Sequence, residues 1–131
     1  LGADCILLIV AALDLKQMKE LESIANDLEM AVLVESHNQD ELDLALELKT
    51  PLIGINNRNL KTFDVSLKTS INLVKNIEGR IPITESGIFN QKDVSLMNEN
   101  HIHTFLIGEA FMRQADPGDA LSELFFSEIN I

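Results

Sequence analysis

Apolar runs of five or six residues recur along this chain. CILLIV spans 5–10, MAVLVE 30–35, LIGIN 52–56, IPITE 81–85 and TFLIG 104–108. Short runs rich in Val, Ile and Leu have the pattern of strands buried on both faces. Between them the period becomes helical. Residues 15–28 set Leu15, Met18, Leu21, Ile24, Ala25 and Leu28 on one helical face, with Asp14 as N-cap. Asn38 caps a second helix over 39–48, whose apolar positions are Leu42, Ala45, Leu46 and Leu48. Ser66 opens a third to about residue 77, carrying Leu67, Ile71, Val74 and Ile77, and Gly79 supplies its stop. Asn90 caps a fourth over 91–98, and Asp116-Pro117 opens a fifth that runs to about 127.

Five strands thus alternate with five helices, and no hairpin signal interrupts them. Such alternation means parallel strands joined by right-handed crossovers. An open doubly wound sheet and part of an eight-fold (β/α) barrel both satisfy it. The polar ends of the runs separate the two. VLVESH, LIGINNRNL, IPITESGI and TFLIGEAFM each finish in a group that can do chemistry or hold an anion. Parallel strands bring such ends to one face. An open sheet concentrates its chemistry at one switch point, whereas a barrel uses most of its strand ends. The expected fold is therefore the C-terminal portion of a TIM (β/α)8 barrel. A whole barrel needs roughly 250 residues, so residues 1–131 are expected to be one partial barrel domain lacking its first three strands. LGAD at the start reads as the tail of a loop, which agrees with a piece of something longer.

Composition narrows the partners. The formal net charge is -11, so a nucleic-acid partner is not expected. One small phosphate remains possible, because backbone N–H groups at turns and helix starts bind it without net positive charge. Cys5 stands alone, offers no disulfide or CxxC signature, and is expected as a small core residue. No run approaches the ~20 apolar residues of a membrane span, and the chain reads as cytoplasmic. HIH at 101–103 precedes a strand at the end opposite the polar tips and is not read as a metal pair.

The strand ends carry the candidate chemistry. Glu35 closes an apolar run, where partial desolvation would raise its pKa toward the range of proton transfer. Asn56, Asn57, Arg58 and Asn59 follow directly on a core strand. Asparagine can orient a hydroxyl, and arginine can hold a carboxylate or phosphate bidentately. Glu85 is followed by Ser86-Gly87, whose small side chains let backbone N–H groups approach an anion. Gly108-Glu109 repeats that arrangement one strand later, as expected of a barrel phosphate site between its last two loops. His37 is set aside as a loop or cap residue. No GxSxG elbow, phosphate-binding glycine loop or HExxH is present.

LIGINNRNL, IPITESGI and TFLIGEAFM together resemble the indole-3-glycerol-phosphate synthase family, and DCILLIVAAL and MAVLVESHN fit it in order and spacing. The resemblance runs through essentially the whole chain, from the family's fourth strand to its eighth helix. It implies a decarboxylating and dehydrating ring closure of a carboxyphenylamino-deoxyribulose phosphate, with neither metal nor organic cofactor. On that resemblance Glu35 removes protons during closure and dehydration, Asn56 orients sugar hydroxyls, and Glu85 lines the substrate pocket. Arg58 resembles the family's adjacent arginine, and Ser86, Gly87, Gly108 and Glu109 resemble its phosphate cradle. Many members carry Ser where this chain has Glu109, so that residue is expected to offer its backbone N–H and turn its side chain away. The family's first- and third-strand lysines are not in this sequence. The 131 residues alone are therefore expected to be inactive, and to self-associate or pair with an N-terminal half. A phosphoribosylanthranilate-isomerase-like barrel and a non-catalytic phosphate-binding half barrel are the alternatives. The first lacks a strand ending in aspartate, and the second has no need of Glu35, Asn56 and Glu85 together.

Overall fold

In a computed structural model, residues 5–106 are described. Five strands, β1 (Cys5–Ile9), β2 (Ala31–Ser36), β3 (Leu52–Asn56), β4 (Ile81–Glu85) and β5 (Thr104–Leu106), form one sheet in the order β1-β2-β3-β4-β5. Every neighbouring pair is parallel. Four helices connect them: α1 (Leu15–Asp27), α2 (Gln39–Ala45), α3 (Lys68–Val74) and α4 (Gln91–Glu99). A single 3₁₀ turn, Val10–Ala12, follows β1. The helix expected from Asp116-Pro117 and the end of the last strand lie outside the described residues. Among those residues, no helix is long and apolar enough to cross a membrane.

The strand order decides between the two architectures. A doubly wound sheet reverses its order at a switch point. Here order in space follows order in sequence, so crossovers of one hand lay every helix on the same side. Alternate strand residues confirm it. Leu8, Val10, Val32, Val34, Ile53 and Ile55 pack with Met18, Ala25, Leu42, Ala45 and Leu73 from the first three helices, and with Leu48 and Ile77 just after the second and third. A second cluster joins Ile88, Val94, Met97 and Ile102 to Leu67, Ile71, Val74 and Phe105. The opposite sheet face, period two out of phase, carries Leu33, Glu35, Gly54, Asn56, Ile83 and Glu85. That face is the inner wall of a partial barrel.

Local signals explain most boundaries. Asp14 and Asn90 each close a capping box, accepting from the Gln17 and Asp93 amides. Asn38 accepts from Glu41 N and starts α2. Three expectations are corrected. α3 runs only from Lys68 to Val74, short of the expected 66–77: Ser66 stays in the loop, its N–H donating to the Asn57 carbonyl at 3.0 Å and its Oγ accepting from Lys68 N at 3.3 Å. Leu21, Ile24 and Leu28 of α1 are exposed, while Glu22 is buried. The helix turns that way because the Glu22 carboxylate accepts from the Lys49 and Thr50 amides at 2.9–3.1 Å. Cys5 is exposed instead of in the core: it opens the edge strand, and its thiol meets only the adjacent Ile6 carbonyl.

Candidate functional site

Three of the four polar strand ends belong to β2, β3 and β4, and parallel register brings them together. Glu35 pairs with Gly54, Gly54 with Ile83, and Asn56 with Glu85. Glu35, Asn56 and Glu85 are all buried and all on the inner face, at the C-terminal ends of adjacent strands. Asn56 Nδ2 donates to Glu35 Oε2 at 3.3 Å, and Asn56 Oδ1 accepts from Arg58 N at 3.0 Å. The amide is thereby held with its donor toward the carboxylate.

Glu85 leans back across β3 toward Glu35. The absence of a side chain at position 54 makes room for it: a Cβ there would collide with Glu85 Oε2 and would lie 3.2 Å from Leu33 Cδ1. Glu85 Oε2 is buried without a hydrogen-bond partner. Burial pushes the Glu85 pKa up to about 9, and the hydrogen bond and charge of the neighbouring Glu35 add to the rise. At neutral pH Glu85 therefore holds a proton. Two carboxyls and one amide, the Glu85 carboxyl protonated, give a buried polar patch in which hydrogen-bond donors and acceptors lie side by side.

The turn after β4 lies beside this patch. Ser86 adopts φ +67° and Gly87 φ +81°. A Cβ on Gly87 would lie 2.7 Å from Val65 Cγ1, so the loop after β3 closes on the turn and only glycine fits. Arg58 sits in that loop, half-buried, with Nη1 donating to the Phe63 carbonyl at 3.3 Å. Gly108 and Glu109 lie outside the described residues. Among the described residues, no group of three or more His, Cys, Asp or Glu is arranged to hold a metal ion; His101 and His103 are both exposed, flanking the buried Ile102.

Sequence reasoning passed over His37, Ser70 and Thr84, and placed Asn57 only in a polar cluster after a core strand. His37, set aside above, places Nδ1 2.6 Å from the Asn56 carbonyl, to which it must donate. Asn57, Ser70 and Thr84 form a buried polar group behind the site. The available signal was polarity out of place: Thr84 and Ser70 occupy positions of a strand and a helix that face the core. Gly54 inside a strand was a second signal, of close approach by another group.

A sequentially ordered parallel sheet with helices on one face and a carboxyl–amide patch at the C-terminal strand ends defines part of a (β/α)8 barrel. Comparison gives the family. Residues 1–124 match the profile described as "Indole-3-glycerol phosphate synthase". The chain is 63% identical over 129 residues to the indole-3-glycerol phosphate synthase of Chromobacterium violaceum, covering 98% of this chain and 49% of that protein. It is 61% identical over 126 residues to that of Polynucleobacter asymbioticus, covering 95% and 47%. The chain belongs to the indole-3-glycerol phosphate synthase family, a family of carboxy-lyases. It spans about half the length of the curated relatives it matches. Among solved structures, KGPDC from Streptococcus mutans superposes with TM-score 0.67 at 20% identity, covering 98% of this chain and 61% of that one. A chain of the Amycolatopsis orientalis BexX/CysO complex gives 0.58 at 16%, covering 90% and 52%. At these identities the likeness concerns the fold alone.

Proposed function

We propose that residues 1–131 supply the fourth to eighth strands of an indole-3-glycerol-phosphate synthase barrel. The reaction closes the indole ring of 1-(2-carboxyphenylamino)-1-deoxyribulose 5-phosphate with loss of carbon dioxide and water. The observation that carries this reading is the convergence of Glu35, Asn56 and Glu85 on adjacent strand ends, in a chain 63% identical to a synthase.

The chemistry asks for three things from these residues. The aromatic carbon bearing the carboxylate attacks the ketone carbon, and the ketone oxygen becomes a hydroxyl. Breaking the bond to the carboxylate then releases carbon dioxide and restores the aromatic ring. Finally the hydroxyl leaves as water, and a proton is lost from the carbon beside nitrogen. Glu35 is the group we assign to that proton removal, and Asn56 the group that orients the sugar hydroxyls. Glu85 enters with its own proton, which suits it to hydrogen-bond the oxygen that departs. The amides of Ser86 and Gly87, with Arg58 nearby, suit the phosphate. Placing Gly108 and Glu109 in the same cradle rests on the sequence. The general acid that protonates the ketone oxygen is assigned to residues beyond this chain, so the chain by itself is expected not to turn over.

The test is a chimaera in which this chain replaces the matching 49% of the Chromobacterium violaceum protein. It is expected to release carbon dioxide and build indole absorbance from the substrate. Glu35→Gln is expected to slow it by about 10²-fold or more, the usual contribution of a positioned acid or base. Parental rates in Glu35→Gln, or a chimaera that folds but makes no indole-3-glycerol phosphate, would overturn the reading.

A further inference from the structure

Asn57 follows the last residue of β3 in phase with Ile53 and Ile55, and its side chain enters the space between β3, β4 and α3. It is fully buried, as are Ser70 and Thr84 beside it. Each of its polar groups is engaged. The backbone N–H donates to the Glu85 carbonyl at 2.9 Å, and the carbonyl accepts from Ser66 N at 3.0 Å. Nδ2 donates to Thr84 Oγ1 at 2.8 Å and to the Ser86 carbonyl at 2.9 Å. Oδ1 accepts from Ser70 N at 3.1 Å and from Ser70 Oγ at 2.8 Å. Ser70 Oγ and Thr84 Oγ1 are 2.6 Å apart.

One assignment of protons satisfies the group without remainder. Asn57 Nδ2 donates to Thr84, the Thr84 hydroxyl to Ser70, and the Ser70 hydroxyl back to Asn57 Oδ1, closing a ring. The second Nδ2 hydrogen is left for the Ser86 carbonyl. That bond fastens a serine held in the left-handed region at φ +67°, a conformation costing a side-chain-bearing residue about 1–2 kcal/mol. Something must hold the turn there, and Asn57 is the side chain seen to do so.

We propose that Asn57 is a positioning residue: from behind the sheet it fastens the turn after β4, and so fixes the direction of the Glu85 carboxyl and the aim of the Ser86 and Gly87 amides. Neighbouring asparagines thus divide the work, Asn56 facing the cavity and Asn57 facing the scaffold. The consequence for catalysis rests on the synthase reading above; the consequence for the turn does not.

The experiment uses the chimaera and two variants. Asn57→Asp keeps shape and Oδ1 but lacks both donors. Thr84→Val keeps the strand's shape, opens the ring and leaves the bond to the Ser86 carbonyl; it is the milder change if the first does not fold. Amide hydrogen exchange at Ser86 and Gly87 is expected to rise about tenfold in Asn57→Asp and about threefold in Thr84→Val, with Val32 and Val34 unchanged. KM should rise in the same order, about tenfold in Asn57→Asp, because displaced amides lose charge-assisted bonds to phosphate. A merely structural role would speed exchange throughout and lower the active fraction without moving KM. Parental exchange at Ser86 and Gly87 in both variants would overturn the proposal, as would acceleration shared equally with Val32 and Val34. If the parent chimaera makes no indole-3-glycerol phosphate, the synthase reading falls, and the exchange data alone still decide whether Asn57 holds the turn.

Discussion

Burial decides the protonation of Glu85 before any substrate arrives. Its carboxyl lies over Gly54 with one oxygen unpartnered and Glu35 alongside, so the charged form is disfavoured and the pKa stands near 9 against an ordinary 4.5. This makes a prediction about stability. The folded chain keeps a proton that the unfolded chain releases, so stability is fully present below about pH 4.5 and falls as pH rises toward 9. The slope is at most about 1.4 kcal/mol per pH unit. Glu85→Gln, which stays neutral and can still donate to Glu35, removes this dependence. Urea titrations of parent and variant should agree near pH 4 and diverge in the variant's favour by pH 8. Parallel curves across that range would show that Glu85 ionises freely in the folded state.

At the scale of elements, the tie between α1 and the loop before β3 is carried by one buried carboxylate. Glu22 accepts from Lys49 N and Thr50 N, while Arg80 binds the carbonyls of Thr50 and Leu46 on the same loop. Glu22→Ala strands the buried Thr50 amide and is expected to cost about 1–3 kcal/mol. Glu22→Gln, which retains one acceptor oxygen, should cost less; both are read as urea midpoints. An unchanged midpoint in the alanine variant would mean that water replaces the carboxylate. This tie also explains what the sequence conveyed of α1 and what it did not. The helix limits were legible because Asp14 and the 3.6-residue period are local. The buried face was misjudged at Leu21, Ile24 and Leu28, since its orientation depends on amides 27 and 28 residues away along the chain. The same division holds at the site. Glu35, Asn56 and Glu85 were legible as strand ends, because parallel strands must gather them. The roles of Asn57, Ser70 and Thr84 were not, since a closed ring of hydrogen bonds exists only after β3, α3 and β4 have packed.

For the whole molecule, the open question is how the inner wall of a partial barrel behaves in water. β1 and β5 are the edges of the described sheet, and an edge strand is a template on which another chain can pair. On the inner face, Leu7, Ile81 and Leu106 are 45%, 46% and 51% exposed. Burying the rest of these three side chains would contribute about 2–4 kcal/mol in total, taking ~1.5–3 for a full aliphatic side chain. Association costs roughly 4–15 kcal/mol in lost freedom. Apolar burial alone therefore does not drive association, and strand pairing along the edges must supply the remainder. The expected outcome is that residues 1–131, prepared alone, self-associate at micromolar concentration, and that light scattering gives a mass above the 14.6 kDa of one chain. Co-expression with the N-terminal half of the Chromobacterium violaceum relative is expected to replace those assemblies with a one-to-one complex, if residues 1–131 supply the fourth to eighth strands as proposed above. Lysine at Leu7 or Ile6 separates the two forces. Leu7→Lys charges the inner face and leaves the β1 backbone edge intact; Ile6→Lys points into the helix layer and destabilises the fold itself. If edge pairing dominates, Leu7→Lys weakens self-association without abolishing it. A monodisperse monomer in the parent chain at micromolar concentration would overturn the expectation of self-association.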